Sequence, residues 1–321
     1  MIGDFDELLN KSFFDRAIHG LKSIPKFLEA KYFYDKRGDL LFQQIMALPE
    51  YYLSRSELDI FKNKTKEIAQ HILRLEEPFD IIELGAGDAS KSKYLLDFLL
   101  REKRDFSYIP IDISPHILSV LQRNLQQALP NLSITPLAGE FIDKLNEVGI
   151  ASKKPKVVLF LGSNIGNMEM AEAGEFCREL RAKMNKNDLV LMGFDLKKDP
   201  HLIVMAYDDP SGVTAAFNLN LLNRINTELG ANFQIDQFRH YATYDPITGA
   251  SRSYLISQKK QSVHLGAETI NFEPYETISM EVSQKFSLID IKRLGAASGF
   301  NNCREVYDSK EWFVDVIWQA V

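Results

Sequence analysis

The chain has 321 residues, 45% hydrophobic and 26% charged, enough to bury one large core or two and too ordered in composition for a disordered or fibrous protein. A formal net charge of −6, with 38 Lys and Arg against 44 Asp and Glu and no basic stripe, argues against nucleic-acid binding. The two cysteines, Cys177 and Cys303, have neither the spacing of a zinc site nor the number for a disulfide framework. The acidic start MIGDFDELLN lacks an apolar signal region and no run reaches the roughly 18 residues of a membrane span, so a soluble, cytoplasmic protein is expected.

In chain order, residues 1–60 read as mainly helical, with apolar positions at Leu40, Leu41, Ile45 and Leu48 before Pro49, and a dense set of aromatics that packing accounts for. A helix from Glu57 to Leu75 leads into a buried strand, Asp80–Leu84, which ends in Gly85-Ala86-Gly87. A helix around Lys91–Leu100, the strand Tyr108–Asp112, a helix from Pro115 to Leu129 and a third strand, Ser133–Leu137, follow. Val157–Leu161 and Leu189–Gly193 read as the fourth and fifth strands, and this alternation predicts a parallel, doubly wound α/β sheet. Near Leu196 the alternation stops. Asp208–Gly230 reads as a helix closed by Gly230, and 231–285 as antiparallel strands (Phe233–Tyr244, Ser251–Lys259, Ser262–Leu265). After Phe286 come a helix and two strands, Arg304–Tyr307 and Trp312–Trp318. A second lobe therefore interrupts the first, and the pattern divides the chain into 61–196 with 286–321, and 1–60 with 197–285.

Glu83-Leu84-Gly85-Ala86-Gly87-Asp88-Ala89-Ser90-Lys91 leaves a strand and opens a helix, where glycines let the backbone turn tightly and approach a ligand. Ser90 stands where a dinucleotide fingerprint wants a third glycine, and there is no GxxxxGK[ST] phosphate loop. These features point to a nucleoside cofactor without a pyrophosphate, S-adenosylmethionine. Asp112, ending the second strand, suits the ribose hydroxyls, and Glu140-Phe141 after the third strand can set a polar group and a ring beside an adenine. NAD, whose ribose an acid there would also suit, is the alternative. Asn167 follows the fourth strand, at the end of the sheet that faces the ligand cleft, although asparagine is also a common turn residue. Glu281 and Ser283 lie two apart on a strand and so share a face, which by itself suits an exposed polar strand. Tyr34 and Tyr207 read by themselves as packing aromatics. The six histidines are scattered without metal-ligand spacing.

Taken together, Lys31–Asp35 with Leu41-Phe42, Leu48–Tyr52 with Arg55, Glu83–Lys91, Phe160–Asn167, Asp195–Asp199, Ala206–Asp209, Gly212–Thr214 with Phe217-Asn218, and Glu281–Ser283 with Lys285-Phe286 resemble one family. It is that of the histidine-specific, S-adenosylmethionine-dependent methyltransferases of ergothioneine biosynthesis. The resemblance implies a class I, Rossmann-like methyltransferase domain with an inserted, mixed α+β substrate-binding domain. It implies three methylations of the α-amino group of L-histidine, giving hercynine. By position it assigns the cofactor to Tyr51, Gly85, Lys91, Asp112, Glu140 and Phe141, with Glu140 standing where the family often has aspartate. It assigns the substrate to Tyr34, Asn167, Tyr207, Glu281 and Ser283, with Tyr34 beside the reacting amine, Asn167 and Tyr207 on the carboxylate, and Glu281 and Ser283 on the imidazole. No metal and no obligate protein partner are expected. The competing readings are the same scaffold acting on another amino acid, such as a tryptophan derivative, and a non-catalytic cofactor-binding sensor.

Overall fold

In the computed structural model, which describes residues 2–321, the chain opens with α1 (Ile2–Lys22), β1 (Lys26–Phe27) and α2 (Lys36–Ala47). Asp35 caps α2 by accepting from the Gly38 N–H at 2.6 Å, and the helix stops at Leu48, whose extended backbone is what the following Pro49 requires. Where periodicity predicts one helix from Glu57 to Leu75 there are two, α3 (Tyr52–Asn63) and α4 (Thr65–Ile72). Lys64 leaves helical geometry between them: its Nζ donates to the Tyr307 carbonyl at 2.8 Å, and the Thr65 hydroxyl turns back onto the Phe61 carbonyl.

Strands and helices then alternate through β2 (Phe79–Leu84), α5 (Ser92–Arg101), β3 (Phe106–Asp112), α6 (Pro115–Ala128), β4 (Ser133–Ile134) and β5 (Leu137–Ala138). The expected third strand is thus split in two, since Pro136 has no N–H to give the ladder, and both pieces pair in parallel with β3. α7 (Phe141–Ala151), β6 (Lys156–Phe160), α8 (Met170–Ala182) and β7 (Leu189–Asp195) complete this stretch. An unanticipated helix, α9 (Pro200–Tyr207), comes next. The helix expected from Asp208 begins only at Val213, as α10 (Val213–Leu229), because the Asp209 carboxylate accepts from the N–H groups of Val213 (3.0 Å) and Thr214 (2.7 Å) and so sets its start. The strands β8 (Phe238–Tyr244), β9 (Ala250–Ser257), β10 (Gln261–Leu265), β11 (Glu268–Phe272) and β12 (Thr277–Gln284) follow, then α11 (Leu288–Ala297), β13 (Phe300–Tyr307) and β14 (Phe313–Ala320).

The chain forms two units, a smaller one of residues up to Tyr51 with Asp199–Ser283, and a larger one of Tyr52–Lys198 with Gln284–Val321. α3 belongs to the larger unit, where Tyr52 hydrogen-bonds Asp195 at 2.8 Å and Glu57 pairs with Lys91, whereas the sequence pattern groups residues 52–60 with the smaller one.

Among the described residues, the larger unit carries a sheet of order β13-β14-β7-β6-β2-β3-β4, with β5 also on β3. The strands from β2 to β7 run parallel, but β14 is antiparallel to β7 and β13 to β14, so the sheet is mixed, not wholly parallel. Successive residues of the central strands enter different cores. Ile81, Val157 and Leu191 pack with Phe61, Leu95 and Leu99, while Ile82, Val158 and Val190 pack with Phe176, Leu180 and Trp318. Burial on both faces explains why these strands read as unbroken apolar runs. The smaller unit has a sheet of order β1-β12-β9-β8 and a separate β10-β11 hairpin, around a core that includes Phe13, Phe33, Phe217, Leu221, Leu255 and Ile278.

Candidate functional site

In the larger unit the strand order turns about β2, with β3 on one side and β6 on the other. The loops leaving the C-terminal ends of these strands therefore border the crevice where such sheets bind ligands. Gly85 opens the first loop at φ +70°, and a Cβ there would lie 2.5 Å from the Asn164 amide nitrogen, so both conformation and space require glycine. Asp88 closes the loop by accepting from the Ser90 N–H at 2.9 Å, a side-chain turn in place of a third glycine. Asp112, half-buried at the end of β3, accepts from the N–H groups of Gly87 and Ser114, each at 3.0 Å. Burial holds its carboxyl above the usual range, and these backbone bonds offset part of that. Asp112 thus pins the glycine loop through backbone N–H groups, Ile113 among them, and presents its carboxylate at the end of β3.

Lys91 ends the loop, and its Nζ pairs with Glu57, fully buried on α3. Burial is the largest single influence and lowers the Lys91 pKa, but the Glu57 charge and hydrogen bond, together with the neighbouring carboxyl groups, hold the ammonium above its ordinary range. Glu57 also accepts the Gly162 N–H through both oxygens, at 2.8 and 2.9 Å, and so ties the glycine loop to the loop after β6. That second loop continues into a short 3-10 turn, Asn164–Asn167, which leaves Asn167 exposed. Glu140 is the exposed residue preceding α7, and Phe141 sets its ring edge-on against Phe160, centroids 5.7 Å apart. Nothing in the pattern around Glu57 singles it out, because it lies on an ordinary amphipathic helix.

In the smaller unit, Tyr207 ends α9, and its hydroxyl shares a hydrogen bond with that of Ser283 on β12, 2.6 Å apart and buried. Glu281 lies two residues earlier on the same strand and is partly exposed. The Tyr51 ring meets Tyr207 edge-on at 6.2 Å and Phe42 at 6.4 Å, and the Tyr34 ring meets Phe42 at 5.7 Å and Phe217 at 5.9 Å. Tyr34, Phe42, Tyr51, Tyr207 and Ser283 thus form one connected series. Tyr51, expected with the cofactor residues, joins the residues expected to hold the substrate. Among the described residues no group of three His, Cys, Asp or Glu side chains can hold a metal ion, and no helix is long and apolar enough to cross a membrane.

The larger unit offers an acid for a ribose at Asp112, a cation for a carboxylate at Lys91 and a ring at Phe141, which fits a nucleoside carrying an amino-acid arm. Its parallel strands, with β14 and β13 antiparallel at the edge, are those of a Rossmann-like methyltransferase. Comparison with known proteins gives the family. Residues 13–320 match the model of the histidine-specific, S-adenosylmethionine-dependent methyltransferases, and the chain belongs to that family. It is 36% identical to a histidine N-alpha-methyltransferase of Mycobacterium tuberculosis, over 89% of this chain and 88% of that one. It is 32% identical to ergothioneine biosynthesis protein 1 of Schizosaccharomyces pombe, over 79% of this chain and 34% of that one. It is also 28% identical to a 4-dimethylallyltryptophan N-methyltransferase of Claviceps fusiformis, over 89% of this chain and 85% of that one.

Proposed function

We propose that the chain methylates the α-amino group of L-histidine three times, giving hercynine, as a soluble cytoplasmic enzyme of ergothioneine biosynthesis. The observation that carries this reading is the Tyr207–Ser283 hydrogen bond beside Glu281, which gathers three of the residues the family resemblance assigns to histidine. In this reading Gly85, Lys91, Asp112, Glu140 and Phe141 hold the cofactor, with Tyr51. When bound, S-adenosylmethionine supplies a methyl group on a sulfonium centre that an unprotonated amine can take. Asn167 and the Tyr207 hydroxyl hold the amino-acid carboxylate. Glu281 accepts from one imidazole nitrogen and Ser283 meets the other, so an indole, with a single ring nitrogen, leaves one of them unpaired. The Tyr34 hydroxyl lies beside the amine and passes its proton toward solvent. The rings of Tyr34 and Phe42 accommodate the growing methylammonium charge. Most of the rate enhancement is then orientation.

The test is mass spectrometry of the purified protein with S-adenosylmethionine and all twenty amino acids. Histidine alone should gain up to three methyl groups. Methylation of a tryptophan derivative in its place would keep the cofactor reading and remove the imidazole roles of Glu281 and Ser283. Cofactor binding with no methylated product would make the chain a sensor.

A further inference from the structure

Asp315 lies on β14 directly opposite Gly193 of β7 and is fully buried. A Cβ at Gly193 would lie 2.3 Å from the Glu57 Oε1 and 3.1 Å from the Asp315 Oδ1, so the two carboxyl groups converge on the space this glycine leaves open. Among the described residues no hydrogen-bond donor reaches either oxygen of Asp315. Ionised, it would be a buried charge without a hydrogen bond, facing the Glu57 carboxylate and near Asp308, and the ammonium that opposes them, Lys91, is already bound by Glu57. One proton removes the conflict: it neutralises Asp315, leaves Glu57 and Lys91 as a balanced pair and supplies the missing donor.

We infer that Asp315 is a positioning residue of the cofactor site, a carboxylic acid whose hydroxyl donates to Glu57 and fixes the geometry in which Glu57 holds the Lys91 ammonium and the Gly162 N–H. Burial, and after it the Glu57 charge, push the Asp315 carboxyl well above the ordinary range, in keeping with a neutral acid, while Lys91 offsets part of this. Without that donor the Glu57 carboxylate can turn, and the glycine loop and the loop after β6 lose their common anchor. The inference rests on the reading that Lys91 meets the cofactor.

The experiment is calorimetric titration of the full chain with S-adenosylhomocysteine, comparing wild type, Asp315→Leu and Asp315→Asn, with histidine affinity measured alongside. Asp315→Leu removes the donor and should weaken S-adenosylhomocysteine about tenfold while changing histidine affinity less than about twofold. Asp315→Asn retains a neutral donor and should restore the affinity that leucine loses. At pH 7 the infrared difference spectrum should contain a protonated-carboxyl band that Asp315→Asn abolishes. Asparagine binding as weakly as leucine, leucine binding like wild type, or absence of the band overturns the inference. If the leucine variant does not fold, the asparagine variant and the band decide it. Wild-type protein that binds no S-adenosylhomocysteine overturns the cofactor reading as well, whereas wild-type binding with a failed asparagine rescue overturns only the role of Asp315.

Discussion

Glu281 is half-exposed and Ser283 is buried against Tyr207, so two side chains on one strand meet different surroundings. If Glu281 meets the imidazole, Glu281→Ala leaves a ring N–H unpaired and should raise the KM for histidine about tenfold, with the KM for S-adenosylmethionine within about twofold. Steady-state kinetics with each substrate varied in turn checks this, and equal changes in both constants would remove Glu281 from the ring. Asp112 shows a further economy: the carboxylate proposed for the ribose also fixes Gly87, so the loop is held in shape by the residue that would use it.

At the scale of elements, α10 shows how a polar side chain sets where a helix begins. Periodicity runs back to Asp208, but Asp209 takes the first free N–H groups, and its carboxylate also accepts from the Ser211 hydroxyl at 2.5 Å. Asn220, farther along α10, donates to Asp35 at 2.9 Å and so joins this helix to the cap of α2. Burial pushes the Asp209 carboxyl up, but the Ser211 and Thr214 bonds, with the Val213 N–H, bring it down to about 2. A depressed carboxyl stabilises the fold fully above its ordinary value of 3.8, and that contribution is lost as pH falls toward about 2. Asp209→Ala should therefore lower stability by about 1–2 kcal/mol near neutrality, and by less as the pH drops below about 4. Urea denaturation at neutral and acidic pH measures the difference, and a gap that does not narrow with acid would contradict the assignment.

For the whole molecule, the chain passes between its two units at three places, and in the larger unit the residues next to all three gather on Asp195. Asp195 accepts from the Tyr52 hydroxyl at 2.8 Å, pairs with Lys285 at 2.8 Å and is bonded by Lys198. Burial works against its charge, yet the two lysines hold its pKa below the ordinary value. Glu83 in β2 has the opposite balance, since burial lifts its carboxyl to about 7 although the Tyr108 hydroxyl donates to it. The folded protein then keeps a proton that the unfolded chain releases near 4.5, so stability falls as pH rises from about 4.5 to about 7. Glu83→Gln retains an acceptor for Tyr108 and removes the titration. The stability difference between wild type and Glu83→Gln should shift against wild type by about 3 kcal/mol between pH 5 and pH 8. Parallel stability curves for the two proteins would show that Glu83 titrates normally.

The amino-acid sequence by itself determined the alternating larger unit, because strands buried on both faces must be continuously apolar and the intervening helices must repeat every three or four residues. It also determined the turn at Gly85 and placed Asp112 at a strand end and Asn167 in the segment after the fourth strand, since each follows from its immediate neighbours. The roles proposed for Tyr34, Tyr207, Glu281 and Ser283 come only from the family resemblance, because an aromatic in a cluster or a polar pair on a strand has no local signature. The antiparallel direction of β13 and β14, the late start of α10 and the grouping of α3 with the larger unit depended on tertiary structure. So did the meeting of Glu57 with Lys91, 34 residues away, and with Gly162, 105 residues away. Periodicity records which face of an element is apolar, but a buried polar group is settled by the partner it finds across the fold, and only the folded chain brings that partner within reach.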